Sequence, residues 1–211
     1  MNAETKMIFE SLFTCYPILE SCKIDIEDAF TLLNNCFNAG GKLLLCGNGG
    51  SASDCEHIAG ELLKGFNKMR RPVHIESIEG RADISAILPL LQGALPAIPL
   101  ISHSGVLTAI ANDTSSDMIY AQQVFALCKK EDIVMGLSTS GNAVNVFNAL
   151  ALANAMGAGT IALTGENGGK CAAVSSVNIK APEKLTYKIQ ELHLPIYHAL
   201  CAMLEAEFFS K

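Results

Sequence analysis

No stretch of this sequence is apolar over the length needed to cross a membrane; every long hydrophobic run is broken by Gly, Pro, Ser or a charged residue. The opening residues, MNAETKMIFESLF, lack a basic start, an apolar core and a small-residue cleavage site, so no secretory leader is expected. Positive charge is scarce: 15 Lys and Arg against 21 Asp and Glu leave a net charge of −6. The one basic cluster, Lys64, Lys68, Arg70 and Arg71, reads as a solvated helix end and loop, so no nucleic-acid partner is expected. An acidic total does not exclude an anionic ligand, because a phosphate needs only local donors. None of the eight cysteines is spaced Cys-x-x-Cys, and a disulfide framework belongs to small secreted chains. The thiols therefore read as mostly buried and reduced, as in a cytoplasmic protein.

What the sequence does have is a large apolar fraction, half of its 211 residues, and a repeating order of elements. The spacing predicts helices over residues 3–14 and about 25–39, the second with Ile26, Phe30, Leu33 and Phe37 inward, Asp25 as N-cap and Gly40-Gly41 as its stop. A short apolar run, Leu43 to Cys46, then enters Gly47-Asn48-Gly49-Gly50-Ser51 and a helix to about Lys64. The pattern recurs at Ile133–Leu137, entering Ser138-Thr139-Ser140-Gly141-Asn142 and a helix from Val144 to Met156, and again at Thr160–Leu163 before Thr164 to Gly169. Ala97–Ile101 reads as another strand, with Pro99 favouring an edge or early position, and Val177–Ile179 as a last short one. The final 25 residues read as one helix with Ile189, Leu192, Ile196 and Leu200 inward and a disturbance at Pro195. Short apolar runs alternating with helices predict an α/β fold with a parallel sheet, whose strand-to-helix loops gather on one edge. A single domain over 1–211 is expected, with an N-terminal helical segment of about 1–40 and an insert at 73–94.

Two of those loops carry chemistry. Gly47 to Ser51 brings free backbone N–H groups, partial positive charge and the Ser51 hydroxyl to a helix start, which suits a phosphate. It lacks the Walker ending and is not the dinucleotide G-x-G-x-x-G, and a purely steric βα turn would account for its glycines equally well. Ser138-Thr139-Ser140 is more pointed, because three adjacent hydroxyls exceed the single one an N-cap needs and can cradle the oxygens of one phosphate. His57 and Glu61, four residues apart, share one helix face one turn beyond the first loop; that pair suits acid–base work or metal binding, although exposed pairs of this kind are common. His193 and His198 lie on the last helix close after Gln190 and Glu191, while His74 and His103 have no recognisable context.

Leu45-Cys46-Gly47-Asn48-Gly49-Gly50-Ser51 with His57-x-x-x-Glu61 resembles the opening of the phosphoheptose isomerases of the sugar isomerase (SIS) family. Leu107 to Asp113, Ser138 to Asn142, Leu163 to Lys170 and Ile189-Gln190-Glu191-x-His193 resemble their later motifs, in the same order. The resemblance implies a five-stranded parallel sheet between helices, a flavodoxin-like three-layer sandwich. It also implies a homotetramer with active sites at subunit interfaces, and an enzyme of carbohydrate metabolism that converts sedoheptulose 7-phosphate, or a related sugar phosphate, to a D-glycero-D-manno-heptose 7-phosphate through an enediol. By the same resemblance, Glu61 is the base that moves a proton between C1 and C2, and His198 is the acid at the carbonyl oxygen. Asn48, Gly49, Gly50, Ser51, Asn112, Asp113, Ser138, Thr139, Ser140 and Gln190 bind substrate. His57, Glu61, Gln190 and His198 match residues that hold zinc in some members. The sequence departs from the family at Ala143, in place of a phosphate-facing Ser, at Leu185 and Tyr187, in place of an Asp, at Pro195 and in the longer 73–94 segment. A phosphosugar-binding regulator without activity, or a partner of the replication initiator DnaA, stands as the alternative on the same fold.

Overall fold

The computed structural model describes residues 1–72 and 78–209. The short apolar runs form five strands: β1 (Leu43–Gly47), β2 (Ala97–Pro99), β3 (Ile133–Ser138), β4 (Gly159–Gly165) and β5 (Val177–Ala181). They pair in parallel in the order β2-β1-β3-β4-β5, the flavodoxin-like doubly wound arrangement. Pro99 lies where a missing N–H costs least, on the edge strand β2, opposite Leu45 of β1. The helices are α1 (Ala3–Cys15), α2 (Lys23–Asn38), α3 (Gly50–Leu63), α4 (Ser104–Asp113), α5 (Ala121–Leu127), α6 (Val144–Ala155), α7 (Gly169–Val174) and α8 (Thr186–Phe208).

The strands are apolar on both faces because helices cover both. Leu43, Leu45, Met135, Leu137 and Leu163 pack into a core with residues of α1, α2, α3 and α8. Leu44, Cys46, Val134 and Ala162 point the other way, into a second core with residues of α5, α6 and α7. The chain therefore leaves β1 toward one face through α3 and leaves β3 toward the other through α6. A crevice opens where these two neighbouring strands diverge, at their C-terminal ends.

Several expectations are refined. Helix α2 begins at Lys23, directly after a 3₁₀ turn over Pro17–Cys22, so Asp25 lies in its first turn instead of capping it. Helix α8 runs unbroken through Pro195, with Ile189, Ile196 and Leu200 buried and Leu192 half-buried. The 78–94 part of the expected insert holds 3₁₀ turns at Ala82–Ile84 and Leu88–Leu90 but neither strand nor α-helix; 73–77, with His74, lies outside the described residues. Seven of the eight cysteines are buried, Cys15 is exposed, and all are free thiols. Among the described residues no helix is long and apolar enough to cross a membrane.

The reading of the Lys64–Arg71 cluster as solvated is corrected at Arg70, which is buried. Its Nε donates to Glu205 Oε1 at 2.7 Å, and its other nitrogens donate to the carbonyls of Leu62 (2.8 Å) and Glu61 (2.6 Å). A guanidinium supplies several donors in a fixed fork, so one residue satisfies the last carbonyls of α3 and pairs with α8 at once. Glu205 also accepts the amides of Phe66 and Asn67, each at 2.8 Å. Burial pushes its carboxyl up, but those two amides and the guanidinium together hold it below its ordinary value. The C-terminal end of α3, which carries Glu61, is thereby fixed against α8, which carries His198.

Candidate active site

The β1–α3 loop turns sharply. Gly49 has φ +57°, a conformation that favours glycine, and starts α3 without a side-chain cap. An added Cβ at Gly50 would stand 2.5 Å from Nε2 of Gln190, so the bare backbone at this helix start lets the α8 amide lie against it. Asn48, Gly50 and Ser51 from this loop, Ser138, Thr139, Ser140 and Ala143 from the end of β3, and Gln190 line one cleft of ≈ 420 Å³. It lies at the crevice that the topology opens between β1 and β3. Free N–H groups of α3 and five hydroxyl-bearing residues, Thr186 at the start of α8 among them, converge there, the chemistry that holds a phosphate.

The cradle is braced from behind. Gly141 has φ +66°, and a Cβ there would collide with the carbonyl oxygen of Gly168, whose own φ is +69°. The two loops interlock through Cys171 N–H donating to Gly141 O (2.9 Å) and Lys170 N–H donating to Asn142 Oδ1 (3.1 Å). Asn48 is held by Asn145: each side-chain amide donates to the other's oxygen, at 2.8 and 3.0 Å. The Tyr120 hydroxyl donates to Gly47 O beneath them. The sequence reading missed Asn145 and Tyr120. An Asn in the first turn of α6 reads as a helix-start residue, and Tyr120 sits in no motif.

One and a half turns along α3 lies a second constellation. His57 Nε2 is 3.2 Å from Glu61 Oε1 and 3.5 Å from His198 Nε2, so α3 and α8 bring together three residues that the sequence separates by 137 positions between Glu61 and His198. Glu61 is mostly buried, 13% of its side chain being exposed, and its Oε2 is a buried oxygen with no hydrogen-bond partner. Burial and the neighbouring His57 hold His198 below the usual imidazole range, against the pull of Glu61. Behind His57, the Tyr197 hydroxyl is 3.1 Å from Nδ1 and donates to Asp54 Oδ1 at 3.2 Å. Burial raises the Asp54 carboxyl, while Tyr197 and then His57 draw it back. The rise between Ser51 and His57 along the helix is about 9 Å, which separates the hydroxyl-lined cleft from the His57–Glu61–His198 cluster on one element.

Not every expected residue comes together. Asn112 and Asp113 lie on exposed α4, bonded to each other at 2.8 Å, and neither lines the cleft. His193 is buried structure: its Nε2 donates to Thr164 O at 3.1 Å, its Nδ1 has no partner, and burial pushes it down to about 4. His103, exposed after β2, contacts Gln123 Oε1 through Nδ1 at 2.8 Å and does not line the cleft.

The donor set bears on a metal. Among the described residues no group of three or more His, Cys, Asp and Glu is arranged as a ready metal site. Two of the distances nevertheless match the edge of a tetrahedron around zinc, about 3.3 Å for bonds of about 2.0–2.1 Å. With Glu61 Oε2, which makes no hydrogen bond and has only the Lys64 ammonium 3.8 Å away, beside them, His57, Glu61 and His198 are of the right kind for zinc. Gln190, the fourth expected ligand, lies with its amide over Gly50.

A model of the SIS domain matches residues 14–87 and 79–165, and the sheet order and loop-lined crevice define a protein of that class. The chain is 40% identical over 189 residues to a phosphoheptose isomerase of Syntrophotalea carbinolica, covering 89% of this chain and 85% of that one. It is 37% identical to that of Aquifex aeolicus, over 97% and 91%. Among solved structures, a phosphoheptose isomerase of Neisseria gonorrhoeae superposes with TM-score 0.70 at 32% identity, covering 92% of this chain and 93% of that one. One from Francisella tularensis gives TM-score 0.75 at 28% identity, over 97% and 98%. This chain belongs to the phosphoheptose isomerase family of SIS-domain proteins.

Proposed function

We propose that this protein is an aldose–ketose isomerase that converts sedoheptulose 7-phosphate to D-glycero-D-manno-heptose 7-phosphate through an enediol. The observation that carries the reading is the pairing of two sites on α3: a cleft of hydroxyls and free amides at its start, and a His57–Glu61–His198 cluster farther along. Ser51, Ser138, Thr139 and Ser140 hold the phosphate, with the Gly49-Gly50 backbone and Gln190 beside them. Binding far from the reacting carbons anchors and orients the sugar. Glu61, mostly buried, takes the proton from C1 and returns it to C2. His198 donates an N–H to the carbonyl oxygen, a task a neutral imidazole performs when its site keeps it neutral.

Zinc is part of the proposal, with His57, Glu61, His198 and Gln190 as the residues that would hold it, and it would polarise the substrate carbonyl. Acid and ligand roles compete for a ring nitrogen of His198, so turnover is to be measured with and without zinc. The assembly proposed is a homotetramer in the cytoplasm. Helix α4 supports it: none of its residues is buried in a single chain, although Val106, Leu107 and Ile110 are apolar. In that assembly Asn112 and Asp113 at the end of α4 reach a neighbouring cleft and contact its sugar. Sedoheptulose 7-phosphate incubated with purified protein should yield the aldose, and a complete absence of product from an intact tetramer would overturn the proposal.

A further inference from the structure

We propose that the start of α8 forms a second wall of the phosphate site and that Thr186 is a phosphate ligand within it. The ligand, a phosphorylated sugar, rests on the isomerase reading; the added residue rests on the geometry of α8. The first intrahelical bond of α8 runs from Ile189 N–H to Leu185 O, and no side chain caps this end. Among the described residues the amides of Thr186, Tyr187 and Lys188 therefore have no acceptor. Thr186 and Gln190 are four residues apart, share one face of α8, and both line the cleft. Across it, Gly50 opens α3 with an equally uncapped end, against which the Gln190 amide lies. Two helix starts thus meet at one cleft, and each places partial positive charge on it.

Buried hydroxyls in the same cleft point independently to a ligand. Ser51 and Ser138 line it at only 4% and 6% exposure. Neither hydroxyl makes a hydrogen bond among the described residues, although a hydroxyl withdrawn from water without a partner is costly. The Thr186 hydroxyl is unbonded as well, and it caps nothing, because Leu185 holds the cap position of α8. The fold has no use for it. A phosphate, with several acceptor oxygens, satisfies all three hydroxyls and the free amides at once. Ala143 lines the same cleft without a polar side-chain atom, so the hydroxyl that the start of α6 does not offer comes from α8. Gly165 makes the approach possible. An added Cβ there would stand 2.5 Å from Ile189 Cδ1 and 2.8 Å from Thr139 O, so the first turn of α8 lies close against the ends of β3 and β4.

The test titrates the full-length protein with inorganic phosphate and, separately, with sedoheptulose 7-phosphate, read by calorimetry and phosphorus NMR. Thr186→Val keeps the side-chain shape and removes the hydroxyl, whereas Thr186→Ser keeps the hydroxyl. Thr186→Val should weaken both ligands about tenfold, the loss of one hydrogen bond to a charged group, and Thr186→Ser should bind as wild type does. The ligand-free thermal midpoint should match wild type in both variants, since the hydroxyl bonds nothing in the fold. Wild-type affinity in Thr186→Val, beside a Ser138→Ala variant that loses affinity, would overturn the proposal and leave the phosphate reading of the cleft intact. A loss for the sugar phosphate but not for inorganic phosphate would also overturn it, by placing Thr186 on the sugar. If neither Thr186→Val nor Ser138→Ala weakens phosphate, the cleft is not the phosphate site and both readings fall.

Discussion

Glu61 is mostly withdrawn from water, and its Oε2 makes no hydrogen bond; its charged neighbours are His57 at Oε1 and, at 3.8 Å from Oε2, the Lys64 ammonium. An oxygen without a hydrogen bond is available to a substrate proton. Glu61→Gln keeps the shape and removes the base, so kcat should fall at least about a hundredfold while phosphate-dependent thermal stabilisation persists; retained turnover would remove Glu61 from the role. His193 allows a different prediction. Its ring is neutral in the folded protein down to about 4, whereas an unfolded imidazole binds its proton near its ordinary 6.5. Below that ordinary value the unfolded state holds more protons, so the stability contributed by the neutral ring is full above pH 6.5 and is lost as pH falls toward 4. The loss is on the order of 3 kcal/mol. His193→Gln should flatten this part of a urea-midpoint-against-pH curve; a slope unchanged between pH 6.5 and 4 would contradict the assignment. At this scale the sequence exposed the loop hydroxyls and the His57–Glu61 spacing, because both are local. It could not reveal Asp54, Tyr197 or Asn145 as partners, since each acquires meaning only from a residue about 97 to 143 positions away.

Among the elements, α3 organises the site. Its start faces the hydroxyl-lined cleft, its middle carries His57 and Glu61, and its end is closed by Arg70 and Glu205. Arg70→Met leaves Glu205 buried with its carboxylate short of its cationic partner, so it should destabilise by about 3–5 kcal/mol in chemical denaturation. A loss below 1 kcal/mol would show that water replaces the guanidinium. Gly141→Ala tests the interlock of the β3–α6 and β4–α7 loops. A side chain at φ +66° facing the Gly168 carbonyl should cost at least about 1 kcal/mol and raise KM for a phosphorylated sugar. Strands and helices were legible because the apolar runs of β1, β3 and β4 each enter a glycine or hydroxyl loop. Arg70 was misread because a charged residue beyond a helix end looks solvated until its three acceptors are seen. The start of α2 was misread because the preceding 3₁₀ turn passes directly into the helix, and Asp25 has no capping bond to make.

At the level of the whole molecule, the parallel order β2-β1-β3-β4-β5 decides where chemistry happens. Helices leave β1 and β3 on opposite faces, and the site fills the resulting crevice. That much followed from alternating elements and the family resemblance. The position of Asn112 and Asp113 did not, because α4 buries no residue within its own chain. Sedimentation should therefore give a tetramer, and Val106→Glu on the exposed face of α4 should dissociate it; a monomeric wild type would contradict the proposed assembly. The most direct measurement of the central claim is turnover of sedoheptulose 7-phosphate by purified protein, with and without added zinc, with product sugars identified. The account predicts aldose formation that Glu61→Gln abolishes. No aldose under either condition, from protein that still binds the sugar phosphate, would contradict the isomerase reading and leave a binding protein on the same fold.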